Sequence, residues 1–306
     1  VIPQGSRIAL LDEPVHRNIG DHLIHLGIEQ FFHDHGMRIV ARAHTYSYHR
    51  RWLDRRISRD TVIVCNGGGH LGDLYPAHQD LRERLFRDFP RHRIVVLPQS
   101  LYFQDDRRLE QAAETFRSHS DLHLFLRDRD SLQRAQGIGL DRLYLAPDMA
   151  HALYPLHLPK HAPASLGGPL HLLRRDTEVT AGGLAGQGVD DIRDWPDIVS
   201  PRDTVALAAL AAAFRLLRSV GPPKALDVLL DKRRKILIQR GVALLGAHDL
   251  IITSRLHGAL LGLLLGKWVR LLPSLTGKAG AYYDTWLTDH DRCEYLPAGL
   301  SPSTDR

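Results

Sequence analysis

The chain has 306 residues, of which 43% are hydrophobic and 25% charged, a composition typical of a folded protein with one large domain or two of ordinary size. Its two cysteines, Cys65 and Cys293, form no CxxC pair and indicate neither a disulfide framework nor a zinc site. The net charge of +5 comes from 40 Lys and Arg against 35 Asp and Glu without a basic tail, which argues against nucleic acid as a partner. No apolar stretch reaches the roughly 20 residues that span a bilayer, and no leader is visible, so we expect a cytoplasmic protein.

The first half of the chain alternates between short apolar runs and stretches of helical periodicity. At residues 20–36 apolar side chains recur at helical spacing, and Gly36 ends the pattern. Strands are predicted at residues 7–12, 38–43, 61–69, 93–100, 122–128 and 142–148, and further helices at 80–90, 108–118 and 130–136. Strands that alternate with helices through short loops favour a parallel sheet with helices on both faces.

The second half returns to this alternation after an interruption. Residues 154–169 hold four prolines and two glycines without periodicity, and predict a linker at about 156–169. Beyond it, strands are predicted at 170–176, 250–254 and 267–273, helices at 203–220, 225–248 and 258–266, and a long glycine-rich loop at 177–197. The predicted fold class is therefore α/β, with two parallel-sheet domains at residues 1–155 and 170–306 that face a cleft.

Arg255 and His257 stand between two apolar runs, at the predicted turn from a strand into a helix. Ligands of open α/β sheets bind at the carboxyl ends of strands, and a helix start offers free N–H groups to an anion. The turn therefore predicts an anion pocket that contains a group able to titrate near neutral pH. The alternative is that His257 caps or packs and that Arg255 pairs with a local carboxylate.

Two other predicted strand ends carry glycine or short polar residues. Gly67, Gly68 and Gly69 form a turn where a ligand could approach the backbone closely, although the pattern is neither GxGxxG nor a P-loop. A tight turn without a ligand explains these glycines equally well. Asn18 and Asp21 begin the first long helix, where they could contact a ligand or cap the helix.

Further cations follow later strands. Arg174 and Arg175 end a predicted strand, and only one of the two is expected to point towards a given site. Solvated arginines at the surface are the alternative. Lys278 is a lone lysine in a predicted loop, a position that is usually exposed.

Seven short motifs occur in an order that resembles one enzyme family. They are NIGD at 18–21, NGGG at 66–69, LPQS at 97–100, LRDRDS at 126–131, APD at 146–148, LLRRD at 172–176 and SRLHG at 254–258. The ordered set, which extends over nearly the whole chain, resembles the polysaccharide pyruvyltransferase family. SRLHG and the upstream glycine turn carry most of the resemblance.

The resemblance implies two Rossmann-like domains in a GT-B-like arrangement, with the acceptor on the N-terminal side and the donor on the C-terminal side. It implies transfer of the pyruvyl group of phosphoenolpyruvate to a sugar of an exopolysaccharide repeat unit, as a ketal across two hydroxyls. The family's donor-binding arginine matches Arg174, with Arg175 as the alternative. The substrate-binding residues implied are Arg174, Arg255, Leu256, Lys278, Asn18, Gly67, Gly68 and Gly69.

The donor carries a carboxylate and a phosphate, so its site needs at least two cations, and arginine binds both groups in two-point contacts. We expect His257 to be the general acid that protonates the methylene carbon of the donor. A sugar hydroxyl then adds to C2 and phosphate leaves. Asp21 and Asp73 are the candidates for the base that activates the hydroxyl. This chemistry requires no cofactor and no obligatory metal, and neither is predicted.

Two other functions remain open. A GT-B glycosyltransferase that uses a nucleotide sugar shares the expected fold, and a non-catalytic carbohydrate-binding relative could retain the scaffold. The acceptor implied by the family is a lipid-linked oligosaccharide, so peripheral contact with the inner face of the cell membrane is also an expectation. The basic segments 48–56 and 231–235 are candidate lipid contacts, with solvated faces as the alternative.

Overall fold

The computed structural model describes residues 1–154, 168–176, 191–217 and 223–296. The chain divides into two compact units. The first unit comprises residues 1–14 and 24–152, and the second unit comprises residues 15–23 and 153–306. A short N-terminal segment therefore groups with the C-terminal half of the chain. Of the predicted linker, residues 156–167 lie outside the described residues.

A parallel sheet forms the centre of the first unit. Its strands are β1 (Arg7–Leu11), β2 (Arg38–Ala43), β3 (Val62–Cys65), β4 (Gly68–Gly72), β5 (Ile94–Tyr102), β6 (Leu122–Leu126) and β7 (Leu143–Leu145). The order is β2-β1-β3-β5-β6-β7, and β4 pairs with β5. The helices between the strands are α1 (Ile19–Asp34), α2 (Arg50–Asp54), α3 (Pro76–Asp88), α4 (Asp106–Arg117) and α5 (Arg129–Gly137).

The strands of the first unit read as continuous apolar runs because the sheet is buried on both faces. Successive strand residues point to opposite faces, so Ile8 and Leu10 belong to one buried cluster while Ala9 and Leu11 belong to another. The same division recurs along β3 and β5. These runs are the pattern from which the strands were predicted.

The second unit contains its own parallel sheet. Its strands are β8 (Pro169–Leu172), β9 (Ile192–Arg193), β10 (Leu250–Thr253), β11 (Trp268–Leu271) and β12 (Cys293–Tyr295), in the order β12-β11-β10-β8-β9. Its helices are α6 (Pro201–Leu217), α7 (Pro223–Gly246), α8 (Leu256–Leu264) and α9 (Lys278–Trp286). The prediction of an α/β fold with parallel sheets is confirmed.

The structure corrects several predicted boundaries. The strand predicted over 61–69 is two strands, β3 and β4, separated at Asn66 and Gly67. The loop predicted over 177–197 contains β9 and a 3₁₀ helix at Trp195–Ile198, while its residues 177–190 lie outside the described part of the chain. Strand β12 and helix α9 were not predicted. Among the described residues, no helix is both long enough and apolar enough to cross a membrane.

Candidate active site

Arg174 and Arg255 lie at one edge of the sheet of the second unit. Strands β8 and β10 are parallel neighbours, with Leu172 opposite Thr253. Arg174 follows the end of β8, and Arg255 follows β10 and immediately precedes helix α8. The carboxyl edge of an open α/β sheet is where ligands bind. Two of the predicted site residues are therefore brought together by the fold.

Short hydroxyl side chains hold the two strand ends together. The Thr253 hydroxyl donates to the Leu172 carbonyl at 2.6 Å and accepts from the Arg255 N–H at 3.0 Å. The Ser254 hydroxyl accepts from the Arg174 N–H at 3.0 Å. The first bond joins the ends of β10 and β8, the second joins Arg255 to the end of β10, and the third joins Arg174 to Ser254. The backbones that carry both arginines are therefore fixed relative to each other.

The Arg255 guanidinium is buried and bound by carboxylates. Its Nη2 donates to Asp194 Oδ2 at 2.6 Å, and its Nε donates to the other oxygen of Asp194. Nη2 also lies 3.1 Å from Asp176 Oδ2. Arg174 donates to both oxygens of Asp176, at 2.9 and 3.0 Å. Two arginines thus share Asp176, whose side chain is 39% exposed, while Asp194 is buried.

This arrangement matches the alternative in which Arg255 pairs with a local carboxylate. Neither partner was predicted, because Asp194 falls in the segment interpreted as a loop and Asp176 was taken as a strand end. One pattern in the sequence pointed to Asp194. It lies three residues before Asp197, and the two carboxylates form a capping box at the start of the 3₁₀ helix.

Arg175 contacts a different partner. Its Nη1 lies 2.9 Å from Asp197 Oδ2, and its side chain is 54% exposed. The side chains of Arg174 and Arg175 thus diverge, as the alternation of side chains predicts. Arg174, which shares Asp176 with Arg255, belongs to the cluster at the sheet edge.

His257 is the second residue of α8 and packs against the NIGD motif. A Cβ atom built on Gly20 would lie 2.7 Å from His257 Nδ1 and 2.8 Å from its Cβ, too close for any larger residue without movement of the imidazole. Both residues belong to the second unit. Leu256, the first residue of α8, has a buried side chain, so a binding role for it would use the N–H groups of the helix start. Sequence reasoning identified His257 but missed the contact with Gly20.

Asn18 and Asp21 form a hydrogen-bonded pair beside this contact. The Asn18 Oδ1 accepts from the Gly20 N–H at 3.0 Å, and its Nδ2 donates to Asp21 Oδ2 at 2.7 Å. The same Asp21 oxygen lies 3.3 Å from His16 Nε2. Asn18 therefore caps the start of α1, the structural alternative named above. Asp21 is buried, and its role as a base stays a prediction.

His22 is a buried histidine in the same segment. Its Nε2 lies 2.7 Å from the His16 carbonyl, which can only accept, so Nε2 carries the proton. Burial lowers the pKa of His22 well below its ordinary value, although the bond to His16 acts in the other direction, and the charge of Arg234 lowers it further. The imidazole is therefore neutral at neutral pH.

We expect the stability of the protein to fall as the pH drops below about 6.5, the ordinary pKa of histidine, in part because of His22. In that range the unfolded chain binds a proton at this position and the folded chain does not. The expected contribution is up to about 1.4 kcal/mol of unfolding free energy per pH unit. Urea unfolding at several pH values should show that the free energy of unfolding depends less on pH in His22→Gln than in the wild type. The glutamine keeps a donor for the His16 carbonyl.

His33→Gln serves as the control for this experiment because the side chain of His33 is exposed. Its pH dependence should match that of the wild type. An unchanged pH dependence in His22→Gln would contradict the assignment of this effect to His22.

Lys278 is buried rather than exposed, which corrects the expectation of a surface lysine. It is the first residue of α9, preceded by Gly277 in the left-handed region with φ of 69°. Glycine adopts this conformation without strain, so the chain can turn into the helix there and carry Lys278 inward. The residue thus begins a helix and does not lie in a loop.

Gly67 and Gly68 are packed against protein atoms of the first unit. A Cβ on Gly67 would lie 2.9 Å from the Pro98 carbonyl oxygen, and one on Gly68, whose φ is 130°, would lie 3.2 Å from Ile24. Both glycines are buried, and Gly69 is partly exposed. The atoms that approach Gly67 and Gly68 closely therefore belong to the protein itself. A role of the three glycines in binding substrate stays a prediction.

A polar cluster that was not predicted lies after β1 in the first unit. Asp12 adopts φ of 66°, and its carboxylate accepts from His78 Nδ1 and Arg82 Nη2, each at 2.6 Å. Burial would raise the pKa of Asp12, but the charge of Arg82 and the bond from His78 outweigh it and hold the pKa low. Arg82 also donates to the His70 carbonyl at 2.9 Å, which joins strand β4 to this cluster.

Asp73 accepts hydrogen bonds from the backbone N–H groups of Gln104 and Asp105, at distances between 2.8 and 3.0 Å. These bonds hold the segment before α4. They give this candidate base a structural role in the first unit.

Comparisons with known proteins agree with the resemblance seen in the motifs. The family model described as polysaccharide pyruvyl transferase matches residues 18–274. "Putative pyruvyl transferase EpsO" of Bacillus subtilis is 34% identical over 288 residues, which cover 94% of this chain and 87% of that protein. "Pyruvyl transferase 1" of Schizosaccharomyces pombe is 30% identical over 296 residues, 92% of this chain and 70% of that protein.

One solved structure is similar in fold. The crystal structure of a functionally uncharacterised protein from Klebsiella pneumoniae matches with a TM-score of 0.62 over 95% of this chain and 93% of that chain. The two sequences are 17% identical, so the likeness concerns the fold alone.

Proposed function

Because the chain belongs to the polysaccharide pyruvyl transferase family, we propose that it transfers the pyruvyl group of phosphoenolpyruvate to a sugar of an exopolysaccharide repeat unit. The product proposed is a pyruvate ketal that bridges two hydroxyls of that sugar. The membership in a family of transferases is shown by the match over most of the chain, and the donor and the ketal are the proposal.

The shared carboxylate at the edge of the second sheet is the observation that supports an anionic donor. Arg174 and Arg255 both bind Asp176, and this carboxylate is 39% exposed. A carboxylate in that position marks where the two guanidinium groups can bind an anion together. The donor carboxylate or phosphate would take the place of Asp176 between the two arginines. Arg255 keeps its bonds to Asp194 in this proposal.

His257 is proposed as the general acid. Its proton goes to the methylene carbon of phosphoenolpyruvate, C2 becomes electrophilic, and a sugar hydroxyl adds to C2 as a base takes the hydroxyl proton. Phosphate then leaves with the C2–O bond electrons, and a neighbouring hydroxyl closes the ketal and releases its own proton. Gly20 supports this role because its bare backbone lets the imidazole lie against the start of α1. Asp21 is the proposed base.

The test is titration calorimetry of phosphoenolpyruvate into the wild type, Arg174→Ala and Arg175→Ala. We expect binding to the wild type and at least about tenfold weaker binding to Arg174→Ala, because a charge-assisted hydrogen bond is worth about 1.5–3 kcal/mol. Arg175→Ala is the matched control and should bind as the wild type does, since Arg175 pairs with Asp197 instead.

UDP and GDP serve as further ligands in the same titration. Binding of a nucleotide without binding of phosphoenolpyruvate would overturn the proposed donor and favour a glycosyltransferase. An equal loss of affinity for phosphoenolpyruvate in Arg174→Ala and Arg175→Ala would contradict the assignment of the donor-binding role to Arg174.

The remaining expectations accompany this proposal as predictions. They are the GT-B-like arrangement of two domains, the acceptor side in the N-terminal domain, the lipid-linked oligosaccharide as acceptor, the absence of a cofactor and of an obligatory metal, and the cytoplasmic location. A role of Lys278 in donor binding also stays a prediction.

A further inference from the structure

Helix α6 is apolar on all sides and yet largely exposed. From Val205 to Leu217 its sequence is VALAALAAAFRLL, in which Arg215 is the sole polar side chain. A helix that is apolar all round is normally enclosed by protein or lipid. In α6, however, Leu207 alone is buried. Within the described part of the second unit, an apolar helix surface therefore remains exposed.

The exposed residues of α6 form one continuous face. Val205 is 71% exposed and Leu216 is 74% exposed. Exposed residues at helical spacing connect them, and we call Arg202, Val205, Ala208, Ala209, Ala212, Arg215 and Leu216 the α6 face. Pro201 and Thr204, in the first turn of the helix, are exposed as well. Contiguous apolar surface rimmed by polar residues marks an interaction site.

The charges of this face have a single sign. Arg202 and Arg215 stand at its two ends, and the α6 face includes no acidic side chain. The acid of α6, Asp203, is 2.7 Å from Arg240 Nε of helix α7, and its side chain is only 12% exposed. The acid is thus neutralised away from the face, which is left positive.

Helix α7 also carries exposed positive charge. Within the basic segment 231–235, Lys232 and Lys235 are exposed, whereas Arg234 is buried and pairs with Asp231 at 2.7 Å. Two lysines of this segment are therefore available to an anionic partner.

We propose that the α6 face docks on the surface of a bilayer that contains anionic lipid, with the helix lying in the plane of the interface. Val205, the alanines and Leu216 enter the boundary between headgroups and acyl chains. Arg202 and Arg215 extend their charged ends to anionic headgroups while their stems cover apolar surface.

Charge complementarity selects lipid over a second copy of the chain. A two-fold contact places the same face on both partners, so the arginines of one face would meet a face that has no carboxylate to pair with them. Anionic headgroups supply the missing charge at both ends. This inference concerns docking and does not depend on the proposed reaction.

The experiment is co-sedimentation of the full chain with vesicles. The two vesicle types are phosphatidylcholine alone and phosphatidylcholine with about 30% phosphatidylglycerol. We expect the wild type to bind the anionic vesicles and to dissociate at about 0.5 M salt, where charges are screened over a few ångström. The double variant Val205→Asp and Leu216→Asp should bind at least about tenfold more weakly, because carboxylates replace the largest inserting side chains.

Tyr46→Asp is the matched control, because Tyr46 is 73% exposed but lies in the first unit. It should bind vesicles as the wild type does. Because Val205 and Leu216 are exposed, the double variant should keep the thermal midpoint of the wild type, and sedimentation velocity without vesicles should show the same mass for both.

Three results would overturn the inference. They are no binding of the wild type to anionic vesicles, equal binding by the double variant, and a wild-type dimer that the double variant converts to a monomer. The last result would assign the α6 face to a second copy of the chain.

Discussion

Replacing Arg255 with alanine is expected to lower the free energy of unfolding by about 3–5 kcal/mol, the range found when one partner of a buried ion pair is removed. The cause is Asp194. Its carboxylate is buried and receives two bonds from the Arg255 guanidinium, so the variant leaves a negative charge inside the protein without that partner. Urea denaturation at neutral pH measures the change.

Arg193→Ala is the matched control for this prediction. Arg193 also pairs with an aspartate, Asp191, at 2.8 Å, but the two side chains are 43% and 72% exposed. An exposed pair is worth about 0–1 kcal/mol, so the control should remain close to the wild type. Equal losses of unfolding free energy in Arg255→Ala and Arg193→Ala would show that Arg255 does not stabilise the protein through a buried charge.

A double variant separates the structural role of Arg255 from donor binding. Asp194→Asn keeps an oxygen that can accept from the Trp195 N–H, as Asp194 does at 2.7 Å, and removes the buried charge. Adding Asp194→Asn to Arg255→Ala should therefore restore part of the lost stability. Binding of phosphoenolpyruvate should stay weak in the double variant, because the guanidinium remains absent.

Replacing His257 with alanine is expected to lower kcat by about 10²–10⁴ while donor binding changes little. A positioned general acid contributes about 10²–10⁴ to a rate, and the variant removes the proton donor but leaves Arg174 and Arg255 in place. The kcat should fall by that factor. The Kd for phosphoenolpyruvate in calorimetry should stay within a few-fold of the wild type, roughly a change below 1 kcal/mol.

The assay for His257→Ala follows phosphate release from phosphoenolpyruvate in the presence of a set of methyl hexopyranosides, with the ketal methyl group detected by NMR. His290→Ala is the control, because His290 belongs to the same unit but is not among the proposed site residues. This variant should keep the wild-type rate. Ketal formation by His257→Ala at the wild-type rate would remove His257 from the mechanism. Loss of donor binding together with turnover would reassign it to binding.

Much of the fold could be predicted from the sequence because its signals are local. Strands β1, β3 and β5 are runs of apolar residues buried on both faces, and the amphipathic α4 shows helical spacing. The short strands β9 and β12 have two and three residues, too few to show a period. The burial of Lys278 was missed because it depends on the direction that the chain takes after Gly277, and no pattern of residue types specifies that direction.

The sequence predicted the cationic residues of the candidate site but not the aspartates that bind them. Arg174, Arg255 and His257 were identifiable because they interrupt apolar runs at strand ends. Asp194 and Asp176 were not identified as their partners. The spacing of Asp194 and Asp197 indicates a helix cap, but no pattern in the sequence specifies which guanidinium an aspartate will meet in the fold. The contact between Gly20 and His257 joins segments far apart in the sequence, and such a contact follows only from the three-dimensional arrangement.

The assignment of residues 15–23 to the second unit has a consequence for synthesis on the ribosome. These residues leave the ribosome early, yet Ile19 and Gly20 pack against Gly241 and His257, which are made much later. Domains of growing chains generally fold as units, beginning at the N-terminus. Here the first residues of α1 must wait for most of the chain before they find their contacts. A nascent chain that stops before His257 has a complete set of first-unit residues but lacks the imidazole that the NIGD motif packs against.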